Sequence, residues 1–396
     1  MKNKLRFHII SMATYGHGLS GGDRIWIEIS KKLAEKFSVN VYLWEEGLAI
    51  AKREGLKKVN FILWSARKAA KLGFFINYFI RVWIGIHQSL RLNLENSPKT
   101  IIYSASEFWQ DSIPALILKI RFPKIKWVAA WYQTAPNPLN GFTEGRRDNK
   151  HYLSAFLYWL VQFPVKPLVT KYADLILVNN ENERSQFKIL NQRAKVMVML
   201  GAIDLKKINS YRQKHSSTKK LYDGVFQGRF HPQKGVVELV SIWRIVVDSK
   251  PDAKLAMIGD GPLMESVKLK IKSEKLENNV KLFGYVFDGS EKYKIFSQSK
   301  IVLHSAFFDS GGMASLEAMA FGVPVVGFDL KAYNSYYPKG MTKVRVGDIK
   351  AFANQVLLLL NNHKISSKIT KEGLKMLETN WSWEVRAKSL LKFINR

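Results

Sequence analysis

The chain has no cysteine among its 396 residues. That excludes a disulfide framework, a thiolate metal site and a cysteine nucleophile, and it fits a reducing compartment. No long stretch runs free of charge, proline or polar breaks, since Arg81 interrupts the longest aromatic run and Pro164 and Pro167 the next, so no transmembrane helix is expected. The basic start reaches Gly16 too soon and lacks a small-residue cleavage site, so it reads as a first strand rather than a signal peptide. Acidic residues are scarce, 32 Asp+Glu against 62 Lys+Arg, for a net charge of +30. Such an excess calls for an anionic partner: phosphate groups, nucleic acid or an anionic membrane surface. There is no zinc knuckle, RNA-recognition signature or basic low-complexity tail. The charge is also spread, residues 1–200 holding 30 Lys+Arg and 14 Asp+Glu and the remainder 32 and 18, so nucleic acid is not expected as the partner.

What is present argues for two folded domains. A hydrophobic fraction of 47% with 12% aromatics is enough to bury sizeable cores, and the length exceeds what one core usually serves. Short β-rich runs at residues 7–12, 39–43, 101–103, 127–131, 175–178 and 196–200 alternate with helical patterns. A polar, basic stretch over 206–220 breaks that rhythm and reads as a linker. The rhythm restarts with runs at 221–226, 255–258, 280–283, 301–304 and 324–328. Strands separated by helices pair in parallel, and such sheets bind ligands at the carboxyl ends of their strands.

Three loops carry chemistry. Gly16, Gly18 and Gly21 match G-x-G-x-x-G between a strand and a helix beginning near Asp23. Backbone without side chains, followed by a helix N-terminus, suits anionic oxygens. The ligand there is either a dinucleotide, with Glu45 or Glu46 on its ribose, or a sugar phosphate or acceptor. In the second half, Gly228 and Arg229 precede Lys234 and Gly235 on one loop after a strand. A planar fork and a compact cation so placed suit a diphosphate. The stretch from 301 to 326 then runs strand, Gly-rich turn (Asp309, Ser310, Gly311, Gly312, Met313), helix with Glu317, and Gly322-Val-Pro324 into another strand. Glu317 stands in the apolar run Leu316-Glu-Ala-Met-Ala, where a buried charge needs a partner.

These residues carry a resemblance. Gly228-Arg229 with Lys234-Gly235, then Gly259-Asp260-Gly261-Pro262, Gly284-Tyr285, and Asp309-x7-Glu317 followed by Ala-Met-Ala-x-Gly-x-Pro resemble, in order and spacing, the retaining glycosyltransferases of family 4 (the GT-B glycosyl transferases group 1). The match is specific over residues 221–328 and looser outside. The resemblance implies an α/β fold of GT-B architecture: two Rossmann-like domains facing across a cleft, with a C-terminal helix crossing back to the first. On the chain this places an acceptor-binding domain at 1–205, a nucleotide-sugar-binding domain at 206–378 and the returning helix at 379–396.

The function implied is retaining transfer of a sugar from a nucleoside-diphosphate-sugar, UDP- or GDP-linked, to a hydroxyl acceptor such as a membrane glycolipid or a surface polysaccharide precursor. Arg229 and Lys234 would hold the diphosphate and Glu317 the ribose, with Asp309 as the other acidic residue of the motif. Gly228, Gly259, Ser310, Gly311, Gly312 and Met313 would line the donor, and Gly21, Gly22, His17 and Gln133 the acceptor side. No metal or further cofactor is implied. Two departures from the family pattern stand out. The first acidic residue is Asp309 rather than Glu, one methylene shorter, and Tyr132 and Gln133 stand where a histidine commonly follows the strand at 128–131.

Residues 51–126 hold 14 Lys+Arg against 4 Asp+Glu. Within them, 71–91 places Asn77, Arg81, Gln88 and Arg91 on one helix face with the rest apolar and aromatic. Two readings follow: a helix lying in a membrane interface, or a buried helix with a cationic outer face. With the net charge, the expectation for the whole chain is a cytoplasmic protein peripheral on the cytoplasmic face of a membrane. Two other functions remain: an NAD(P)-dependent oxidoreductase using the Gly16–Gly21 loop, and a non-catalytic anionic-surface binding protein on a degenerate transferase fold.

Overall fold

The computed structural model describes residues 5–65, 73–188, 194–215 and 218–394. Two compact units emerge, one formed by Met1–Ala135, Phe156–Gly201 and Trp383–Arg396, the other by Pro136–Ala155 and Ala202–Ser382.

The first unit runs β1 (Arg6–Ser11), α1 (Gly21–Ala34), β2 (Ser38–Leu43), α2 (Glu45–Arg53), β3 (Asn60–Leu63), α3 (Gly73–Arg91), β4 (Thr100–Ser104), α4 (Trp109–Arg121), β5 (Lys126–Trp131), α5 (Tyr152–Gln162), α6 (Val165–Tyr172), β6 (Leu175–Val178), α7 (Glu181–Lys188) and β7 (Lys195–Val198). The sheet order is β3-β2-β1-β4-β5-β6-β7, every pair parallel. Central strands such as β4 and β6 are buried along their whole length, as expected where helices cover both faces. The edge strand β3 was missed in the sequence because Asn60–Leu63 is only half-buried and carries no long apolar run.

The second unit runs α8 (Leu205–Lys214), β8 (Tyr222–Gln227), α9 (Val236–Ser249), β9 (Leu255–Ile258), α10 (Met264–Ser273), β10 (Val280–Gly284), α11 (Ser290–Ser297), β11 (Ser299–His304), α12 (Met313–Ala320), β12 (Val325–Phe328), α13 (Tyr333–Tyr336), β13 (Met341–Val344), α14 (Ile349–Asn361) and α15 (His363–Asn380). Its sheet, ordered β10-β9-β8-β11-β12-β13, is again all parallel. The last helix, α16 (Trp383–Ile394), packs on α1 of the first unit, where Lys32 pairs with Glu384 at 2.8 Å.

One sequence expectation is corrected. The stretch 206–220 is not a plain linker, because its first half forms α8, with the Asp204 side chain accepting from the Lys207 N–H as its cap. Only Ile208 of that helix is buried, so its periodic signal is faint. Ser216 and Ser217 of that stretch, Lys71 and Leu72 ahead of α3, and the first four residues of the chain lie outside the described residues.

Candidate functional site

In the second unit, three loops meet at the carboxyl ends of β8, β9 and β11. The β8 and β9 loops touch backbone to backbone. The Gly228 N–H donates to Ile258 O at 3.0 Å, and a Cβ on Gly259, whose φ is +144°, would sit 1.8 Å from Gly228 O. Only glycine fits there. Arg229 follows with an exposed side chain that makes no ion pair among the described residues. His231, next along, is pushed down to about 3 by burial and by the Arg229 and Lys234 cations, so the imidazole is neutral on a positively charged loop.

Lys234 closes this loop and reaches the turn after β11. Its Nζ lies 2.6 Å from Asp309 Oδ2, while Ser305 Oγ donates to Lys234 O at 3.0 Å. Asp309 is a hub. Its Oδ1 accepts the Ser310 and Gly311 N–H groups at 2.9 and 3.4 Å, and its Oδ2 accepts Lys234, His304 Nε2 at 3.2 Å and Tyr333 OH at 3.2 Å. Burial alone would raise its pKa, but the Lys234 ammonium and His304 hold it well below the usual carboxylate range. A carboxylate only accepts, so His304 carries its proton on Nε2 and takes the Ser315 hydroxyl at Nδ1, 2.5 Å away. Burial lowers the His304 pKa against the pull of Asp309, which keeps the ring neutral. Gly312, at φ +120°, closes the turn where a side chain would strike Tyr337 and His304.

Glu317 lies on α12, and its carboxylate is buried as the sequence expected. Its partner is Lys292 of α11, fully buried, with Nζ 2.5 Å from Glu317 Oε2 and also bonded to Asp288. Nothing in the sequence marks Lys292, because the pairing crosses two helices. Nor does the sequence place the segment 136–155. Its Arg147, almost fully buried, pairs with Glu238 at 2.7 Å and lies over the Phe307 ring, beside the Asp309 turn.

In the first unit, Ser20 caps α1 and forms a capping box with Asp23, so the strand-to-helix loop runs through Gly16 to Ser20 and the helix opens at Gly21 and Gly22, two residues ahead of the expected Asp23. Gly22 lies under Tyr132, whose ring a Cβ there would meet at 3.1 Å. His17 is exposed, and its carbonyl accepts from Arg53. Gln133 O accepts from Tyr158 OH and Gln162 Nε2. Glu46 pairs with buried Arg81 at 2.9 Å and is therefore engaged within the fold rather than presented to a ribose. Nearby, Glu107 accepts from the Tyr132 N–H and Glu183 from Thr134, and each carboxyl is pushed up to about 7 by burial.

The expected outer cationic face of the helix over 71–91 is corrected. In α3, Asn77 and Arg81 point inward, and Arg81, 1% exposed, donates to Asn77, Glu46 and the Met12 and Thr14 carbonyls. Burying a guanidinium needs that many acceptors, and the loop after β1 supplies two of them.

Residues 207–376 match the family described as Glycosyl transferases group 1. Among curated proteins, an uncharacterised glycosyltransferase of Methanocaldococcus jannaschii is 25% identical over 260 residues, 62% of this chain and 59% of that protein. The poly(glycerol-phosphate) alpha-glucosyltransferase of Bacillus subtilis is 26% identical over 160 residues, 40% of this chain and 23% of that protein. The chain thus spans less than two thirds of the length of either relative. The crystal structure of Anabaena HepE in complex with UDP and glucose superposes with a TM-score of 0.72 at 14% identity, covering 99% of both chains, and so shares the fold. The resemblance to GT-B glycosyltransferases and the α/β fold of two parallel-sheet units are both borne out.

Proposed function

We propose that this chain, a GT-B glycosyltransferase by fold and by the group 1 family match over residues 207–376, transfers a sugar from a nucleoside diphosphate to a hydroxyl acceptor with retention at the anomeric carbon. The observation that carries the reading is the knot of Lys234, Asp309 and the Ser310–Gly312 turn beside Arg229. An ammonium has three donors, so Lys234 can hold Asp309 with one and diphosphate oxygens with the others. Arg229 adds a planar fork for the second phosphate. Glu317 accepts from the ribose, its orientation set by Lys292. Asp309 is a positioning residue in this reading: it orients Lys234 and shapes the turn that lines the sugar.

In the reaction, the bond from the anomeric carbon to the diphosphate breaks, and the acceptor oxygen bonds to that carbon from the same face. The acceptor proton passes to the leaving diphosphate. Arg229 and Lys234 stabilise the charge that develops there. Gly21, Gly22, His17 and Gln133 of the first unit serve the acceptor, a membrane glycolipid or an anionic surface polysaccharide precursor. This acceptor class is supported by the +30 charge and by the polymer named for the Bacillus relative.

The test is calorimetric binding of UDP-, GDP- and ADP-sugars beside NAD and NADP, followed by NMR of the product linkage in the presence of EDTA. One nucleotide sugar should bind and transfer with retention, and Lys234→Ala and Glu317→Gln should each abolish most transfer in a folded protein. Binding of NAD or NADP alone, or full activity in both variants, would overturn the assignment.

A further inference from the structure

The first unit carries two neighbouring helices built inside out. Because α3 turns Asn77 and Arg81 to the core, its outer stripe is Ile76, Phe79, Trp83 and Leu90, with Phe79 56% and Trp83 68% exposed. That is a helical spacing of apolar residues facing water rather than protein. The helix α5 has no charged residue over Tyr152–Gln162, and it exposes Phe156 and Leu160, with Phe163 just beyond its end. Trp109 joins the two faces: its ring lies 6.3 Å from that of Phe79, and its Nε1 donates to Val161 O. At the far end of α3, exposed Arg91 and Arg121 form a cationic rim, and Arg121 donates to Leu92 O at 2.8 Å.

A contiguous exposed apolar face of this kind marks an interaction surface. Its occupant can be argued from charge. A second copy would bring another +30 against this one, whereas an anionic bilayer attracts the chain from a distance and accepts Trp, Phe and Leu at the depth of its headgroups. Neither helix crosses a membrane: among the described residues no helix is long and apolar enough. In α3 the inward Arg81 is tied to the Met12 and Thr14 carbonyls, so the helix is fixed with its aromatic face outward.

We propose that the outer faces of α3 and α5 are a membrane-docking surface that lies in the interface of an anionic bilayer. The inference goes beyond the transferase reading, and it is read out without any transfer assay, so the two fail separately. The experiment is sedimentation of the purified full chain with vesicles of phosphatidylcholine alone and with about one-third phosphatidylglycerol. The comparison is a triple variant, Phe79→Ser, Trp83→Ser and Phe163→Ser, whose fold is checked by an unchanged thermal transition. The native chain should bind the anionic vesicles, and the variant should lose about tenfold or more in partitioning at equal salt, because the charge it keeps cannot replace the inserted apolar area. Equal binding of variant and native chain would overturn the proposal, since charge alone would then account for it. So would a native dimer in vesicle-free solution that the substitutions dissociate, which would make the occupant a second copy.

Discussion

Lys292→Met is the sharpest probe of the second unit. The Lys292 side chain is 0% exposed and neutralises Glu317, 6% exposed, together with Asp288, 16% exposed. Replacing it with a methionine of similar length takes the Lys292 cation away from one buried and one partly buried carboxylate. Breaking a buried ion pair in this way costs about 3–5 kcal/mol. In a unit of this size each kcal/mol moves the midpoint by about 2–4 °C, so the transition should fall by roughly 10 °C. Glu317→Gln is milder, at about 1–2 kcal/mol, because Lys292 keeps Asp288 and the new amide oxygen still accepts. In the double variant the buried carboxylate that Lys292 neutralises is gone as well, so the two costs should fall short of additivity by about 1 kcal/mol or more. Calorimetric unfolding of the full chain, with the two units read as separate transitions, measures all three. A Lys292→Met transition within about 1 kcal/mol of native, or strictly additive costs, would refute the view that this lysine holds Glu317 in place.

Two further outcomes follow from other parts of the fold. Glu107 and Glu183 titrate near 7 in the folded chain against 4.5 when unfolded. The folded state therefore binds more protons between those values, and stability is greatest at low pH within this window and is lost as pH rises through about 7. Glu183→Gln should flatten the fall in the first unit's transition between about pH 4 and 8, by up to about 3 kcal/mol; a fall unchanged from native would count against burial as its cause. Gly259→Ala should unfold or severely distort the β8–β9 loops, since its Cβ would sit 1.8 Å from Gly228 O. Native-like donor affinity in that variant would mean the two loops are not locked together.

The relation of sequence to structure divides by the range of the forces involved. Strands buried on both faces, such as β4 and β6, announce themselves because their cores must be apolar, and the glycines at 259 and 312 stand out because a left-handed φ and a close approach forbid a side chain. The Asp309-to-Glu317 stretch is equally local, since one turn and one helix hold it. That Glu317 needed a partner was legible from its apolar neighbours; that the partner is Lys292 was not, because α11 meets α12 only when the sheet brings them together. The periodicity over 71–91 correctly defined a helix with a polar and an apolar face. Only the tertiary structure decided which face turned inward, through the Met12 and Thr14 carbonyls and Glu46, which lie far away in sequence and accept the Arg81 guanidinium. Sequence determines which side chains must find partners, and the packing of distant elements determines who the partners are, because hydrogen bonds and ion pairs act over a few ångströms of space whatever their separation along the chain.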